Sequence, residues 1–296
     1  LLPEVWKTAR KGDAEHRHRE ERLVFVRIAV LREITTSKKE RTGLEPWGRL
    51  KVIYNGLEES SVFIQEWSNR LGLPSDELMG GIAALLDGTR RGSVLRDQEL
   101  NLFGKIWEDS DPLISKGYIP KIAGIPKGVK LRRNPADDKR RISQWISDGR
   151  MTVPKQVAQK WGGEEDDLVN FVEDLWHYLV EIELLVPVRL VGSRGNPLPN
   201  CSGTHQINGD NILLQGSSSG AYRCKTCRRT TSRRTPKMLC MAWHCNGEIE
   251  HIPESPDNYD LHLVDREFTM LRPEEHTAMV PHNLRTKYEN QFKGDS

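Results

Sequence analysis

The sequence predicts a mainly α, multi-domain protein. It comprises a helical N-terminal domain (1–124), a winged-helix-like domain (125–216) and a small four-cysteine zinc ribbon (217–258), followed by a short C-terminal piece (259–296). Three observations lead there. Apolar residues recur at helical spacing through much of the first two segments. The hydrophobic fraction is only 36% against 29% charged over 296 residues, which favours several small units over one large core. Four of the five cysteines fall between Tyr222 and Cys245.

In the first segment, Leu23, Val26, Val30 and Ile34 form one apolar stripe. Leu50, Val52 and Tyr54 alternate like a short strand. Two further helices follow, one carrying Phe63, Trp67 and Leu71. The other begins after Pro74 and aligns Leu78, Ile82, Leu85 and Leu86. These stripes read as core.

Residues 125–141, "IPKGVKLRRNPADDKRR", are rich in Pro, Gly and cations and read as a linker. Three helices are expected next. The first is 137–147, with Ile142, Trp145 and Ile146 on one side, and the second is 153–161. The third is long, with Leu168, Val172, Leu175 and Leu179 on a face, and its acidic first turn suits a helix N-terminus. A strand at 183–192 and a hairpin at 204–215, with Asn208-Gly209 at the turn, complete the order of a winged helix. "GSSSG" then reads as a flexible tether to the cysteine segment.

The cysteines run Cys224-x2-Cys227, twelve residues, Cys240-x4-Cys245. Two such pairs on facing turns complete a tetrahedral tetrathiolate, the closed form of a structural zinc site. A redox pair would need a low-pKa thiol ahead of a helix, and it would leave the second pair unexplained. Chance clustering of buried cysteines fits poorly with so polar a stretch. His244 and His251 are reserve ligands. Cys201 reads as an inert loop thiol, and His205 as a hydrogen-bonded wing residue. Clustered thiols that stay reduced suit the cytoplasm. No run approaches the ~20 apolar residues of a membrane span.

Net charge is only +2, so any nucleic-acid footprint must be local. Candidate phosphate contacts are Lys139, Arg140, Arg141 and Lys155 in the winged-helix-like segment. Arg228, Arg229, Arg233 and Arg234 are the candidates in the ribbon, where seven cations lie between Arg223 and Lys237 with no carboxylate. The acidic third helix would repel phosphate, so the wing or ribbon is the expected contact. The competing reading is a protein-interaction module in which the acidic third helix and the N-terminal helices dock a partner subunit and zinc is purely structural. No nucleophile–base pair or open metal site is readable.

The terminal stretch carries Glu275-His276-Thr277-Ala278 after a strand-like "EFTML", then a helix with Arg285, Glu289, Phe292, Lys293 and Gly294. This resembles the start of the second RecA-like motor domain of superfamily 2 DEAD/DEAH-box helicases. It is closest to the large prokaryotic helicases of DNA repair and phage defence, in which a four-cysteine zinc module sits near this junction. The resemblance implies a first strand and helix of a RecA-like α/β domain at 259–296. It also implies a parent protein that uses ATP and Mg2+ as an ATP-dependent DNA helicase. DNA and the remaining RecA-like domains would be partners, along with other subunits of a defence or repair complex. The chain has no G-x-x-x-x-G-K-[ST] phosphate loop and no acidic metal-holding motif, so it is not expected to hydrolyse ATP by itself. With no initial Met, it reads as a piece of a longer protein.

Overall fold

A computed structural model of the chain describes residues 30, 31, 33–35, 43–96, 127–191 and 196–254. All of them lie in one compact unit, Leu1–Glu254. The expected strand at 267–271 and terminal helix near 281–292 are outside the described residues, as is most of the first helix, of which Leu31 and Ile34 are buried.

Among the described residues four complete α-helices carry most of the core: α1 (Val62–Leu71), α2 (Ser75–Arg90), α3 (Val153–Trp161) and α4 (Glu165–Glu181). The first begins where the Ser61 hydroxyl accepts from the Ile64 amide and ends at Gly72, whose φ of 62° closes the last turn. The sequence stripes face inward as expected. Trp67 packs edge-on against Phe171 at 5.1 Å, and Trp161 meets the same ring at 5.9 Å. Leu78, Ile82, Leu86, Val172, Leu175 and Leu179 are fully buried.

The fold class differs from the expectation. Among the described residues ten strands in several sheets accompany the helices, so the fold is mixed α and β rather than mainly α. Leu50–Tyr54 (β1) pairs antiparallel with Ile212–Gly216 (β7). Five strands form a second sheet: Leu95–Arg96 (β2), Gly128–Lys130 (β3), Ile142–Gln144 (β4), Leu185–Val188 (β5) and Thr204–Asn208 (β6). Within it β6 pairs with β2, β3 and β5, and β3 runs parallel to β4.

Two local reversals account for the difference, and together they remove the winged-helix order. The stretch expected as a helix at 137–147 is a turn entering β4. The Asp137 carboxylate there accepts from Lys130 Nζ at 2.8 Å and from the Asn134 amide at 2.7 Å, which closes a loop in place of a helical turn. The expected 204–215 hairpin is absent, because Asn208 Oδ1 accepts from the Asp210 amide and shapes a 3-10 turn. That turn sends β7 away from β6 and onto β1. Leu50–Tyr54 and Ile212–Gly216 therefore share a sheet although their segments were expected in different domains. One apolar core runs from Leu31 to Ile207.

A third sheet of Ala221–Cys224 (β8), Thr230–Thr231 (β9) and Ile249–Ile252 (β10), in order β10-β8-β9, carries the cysteine segment. The expected tether ahead of it is pinned: the Ser217 amide donates to Arg49 O, and His251 Nε2 lies 2.7 Å from Ser219 O. Among the described residues no helix is long and apolar enough to cross a membrane.

Candidate metal centre and cationic cleft

Cys224 ends β8, and the turn that follows brings Cys227 back beside it. The Arg228 amide donates to Cys224 O, with Arg228 itself at φ 60°, and the Cys224 amide donates to Arg229 O. In the opposing loop the Cys240 amide donates to Gly247 O and the Cys245 amide to Ala242 O. A Cβ at Gly247 would stand 2.4 Å from Thr226 Oγ1 and 2.8 Å from Cys224 Sγ, so only glycine lets this strand pass the sulfurs.

The result is four Sγ atoms all within 4.8 Å of one another. Cys224 and Cys245 are 3.6 Å apart at sulfur, as are Cys227 and Cys240. That is far beyond the roughly 2.05 Å of a disulfide. It is close to the edge of a tetrahedron with metal–sulfur bonds of about 2.3 Å, which is about 3.8 Å. The four cysteines can therefore hold a metal ion, and the donor set and spacing fit zinc. Convergence of all four also removes the case for a two-cysteine redox pair.

Backbone amides point at the sulfurs: Thr226 and Cys227 to Cys224 Sγ, and Ala242 to Cys240 Sγ, each at 3.4 Å. Burial pushes the Cys224 thiol up, but the Cys227 and Thr226 amides outweigh it and bring it down to about 7. Burial pushes Cys227 and Cys240 upward. A central cation is what would hold so uneven a set as thiolates together.

The reserve histidines are used elsewhere. His251 contacts Ser219 and the Tyr222 ring, while His244 lies against Trp243 with ring centroids 4.3 Å apart. Cys201 is buried beside Ile142 and Leu190, and burial raises its thiol. His205 makes no wing hydrogen bond. It packs edge-on against Trp176, and its buried Nδ1 has no partner among the described residues.

The cysteine loop is locked to the helical body. Lys160, in the last turn of α3, donates to Cys240 O (2.8 Å), Ala242 O (3.4 Å) and Cys245 O (2.5 Å). The Gln156 side chain accepts from the His244 amide. Nothing in the local pattern of 153–161 marks Lys160 or Gln156 as contacts to a segment eighty residues away.

Between this loop and the body lies a cleft of about 570 Å3. Its walls come from the end of α2, the β3–β4 region, the start of α3 and the cysteine segment. Lys139, Arg140 and Arg141 line it opposite Arg229, so four of the eight predicted phosphate contacts come together. Arg91 and Lys127, which the sequence reading missed, line it as well. Among the described residues the one carboxylate in the lining is Asp87. Arg91 pairs with Glu45 at 2.8 Å and Arg141 with Asp138 at 3.5 Å. Lys127, Lys139, Arg140 and Arg229 form no ion pair among the described residues.

The other four candidates stand apart from the cleft lining. Arg228 is exposed and Lys155 half-buried. Arg234 pairs with Glu77 at 2.8 Å, and Arg233 is turned inward onto Asp87, away from solvent. The helicase-motif positions Glu275, His276, Thr277, Arg285, Glu289, Phe292 and Gly294 lie outside the described residues. No family model, curated protein or solved structure matches this chain.

Proposed function

We propose that the chain is a non-catalytic, zinc-organised nucleic-acid-binding module of a larger ATP-dependent DNA helicase. A single observation carries the binding: cations from two distant stretches, Lys139 and Arg140 on one side and Arg229 on the other, line one cleft. Among the described residues, four lining side chains without ion partners beside a single, already matched carboxylate make a local positive potential on a molecule of net charge only +2. Phosphates are the ligands such a cleft favours, bound without sequence choice. The four cysteines supply every ligand of a tetrahedral ion, leaving no position for an activated water, so zinc here is structural. Membership in a helicase rests on the Glu275–Gly294 motif.

The test is a salt titration of DNA binding with the parent and a Lys139→Glu, Arg140→Glu, Arg229→Glu variant. Log Kd of the parent should depend on log salt with a slope of roughly 0.7–0.9 per phosphate engaged. The variant should bind more weakly and with a shallower slope. Equal affinity and slope would sink the reading.

A second reading, a protein-docking module, is favoured by Ile53 and Leu213, which face each other across β1 and β7 and are exposed, with Leu214 exposed beside them. It leads if the parent binds no DNA at low salt.

A further inference from the structure

Phosphate contacts leave one aromatic side chain at the cysteine loop, Trp243, without a role. It lines the cleft, sits between the candidate ligands Cys240 and Cys245, and is 40% exposed. The backbone under it is fixed. The Ala242 carbonyl accepts from Lys160, the Ala242 amide donates to Cys240 Sγ, and the His244 amide donates to Gln156. An indole on so fixed a backbone, with the His244 ring beside it at 4.3 Å and still partly facing solvent, offers a preorganised stacking surface. The cleft itself is not a plain cationic face. Leu85, Val94, Val153 and Met241 line it along with the cations, which suits a ligand with both apolar faces and negative charge.

We infer that the cleft takes an unpaired nucleic-acid strand, with a base stacked on Trp243 while neighbouring phosphates lie along Lys139, Arg140 and Arg229. This deepens the nucleic-acid reading and rests on it. A duplex offers phosphates but keeps the faces of its bases covered by neighbouring pairs, so it has nothing to lay on the indole. A single strand offers both, and alternating aromatic and cationic contacts are how proteins hold one without reading its sequence. The volume agrees with a compact occupant: about 570 Å3 lies in the range of sites that enclose a small organic ligand.

The experiment compares the zinc-loaded full chain with Trp243→Ala and Trp243→Phe variants. The probes are a labelled oligothymidylate of about 12 nucleotides and a two-stranded, blunt-ended duplex of similar length. Trp243→Ala should weaken oligothymidylate binding about tenfold. It should leave duplex affinity and the salt slope unchanged, and Trp243→Phe should recover most of the loss. Zinc content and melting temperature are followed in parallel; if the alanine variant loses metal, the phenylalanine variant against the parent decides. Equal losses on both probes, no loss on either, or thymidine monophosphate competing as well as the oligomer would overturn the single-strand inference while leaving the cationic-cleft reading standing. Failure of the parent to bind either probe at low salt overturns both.

Discussion

Arg233 Nε lies 2.7 Å from Asp87 Oδ2, joining the cysteine segment to the last turns of α2 across 146 residues of sequence. The same carboxylate accepts from the Tyr54 hydroxyl at 2.8 Å and from Arg90 Nη2 at 3.1 Å. Arg90, fully buried, also makes two contacts of 2.9 and 3.0 Å with Glu45. What the sequence presents as one basic run thus divides into two functions. Arg229 faces the cleft, and Arg233, four residues on, is part of a buried ionic network that holds the ribbon to the body.

Breaking that network from one side should be costly. Arg233→Met leaves Asp87 with one fewer cation in a buried setting, and uncompensated buried charge typically costs about 3 kcal/mol. Urea unfolding should show a loss of this size. The Arg233→Met, Asp87→Leu double variant should lose less than the sum of the single losses, because removing both partners leaves neither stranded. Strict additivity would mean that the pair is not coupled.

The same pair sets a pH dependence. Burial alone would raise the Asp87 carboxyl, but Arg233 and Arg90 overcome it and hold it below its ordinary value. A carboxyl lowered in the folded state contributes stability that is fully present above its unfolded pKa of about 3.9 and is lost as pH falls through the lower folded value. The parent's stability should therefore drop more steeply below about pH 4 than that of Asp87→Asn. Above pH 5 the two curves should run parallel. Acid titration of thermal melts for the two proteins, both at the same metal load, checks this.

The helices were legible because burial writes itself into sequence at a fixed period: Trp67 and Leu71, or Leu168, Val172, Leu175 and Leu179, mark the faces that are in fact buried. The four-cysteine cluster was legible because a tetrathiolate site demands cysteines at turn spacing. The sheets were not. β3 and β4 are three residues each, too short to show a period, and their partners are set by long-range pairing. Asn208-Gly209 looks like a two-residue hairpin turn, yet the Asn208 side chain caps a 3-10 turn, and β7 then meets β1 more than 150 residues earlier. Lys160 and Arg233 were missed for the same reason, since their roles lie in partners far along the chain.

The close seat of the ribbon on α2 gives a further expectation. A Cβ on Gly81 would stand 2.6 Å from Trp161 Cζ2 and 2.7 Å from Pro236, a buried residue of the cysteine segment. Gly81→Ala should therefore destabilise by about 1–3 kcal/mol despite alanine's better helix propensity, because the ring and the proline must move apart. Gly80→Ala, whose Cβ would meet only Arg234 O at 3.3 Å, should cost less. Thermal melts of the two variants separate packing from propensity, and equal effects would mean that the ribbon does not bear on this face.

The last expectation joins the metal to the helical body. Purified protein should contain one zinc per chain, and removing it by chelation should lower the melting temperature, since the apolar cluster around Cys224 and Cys240 is small, with Cys224, Cys240, Cys245 and Ile249 as its buried members among the described residues. Lys160 divides its ammonium among three carbonyls of the ligand loop, and hydrogen bonds to a charged donor contribute about 1.5–3 kcal/mol. Lys160→Met keeps the stem and removes the charge. It should leave zinc stoichiometry at one but release the ion faster to a chromogenic chelator, because the Cys240–Cys245 loop opens more often. Arg234→Met, whose ion pair with Glu77 is half-exposed, should release zinc at the parent's rate. If both variants release it equally fast, the lysine is not the fastening; if the parent holds no metal at all, the four sulfurs converge for some other purpose.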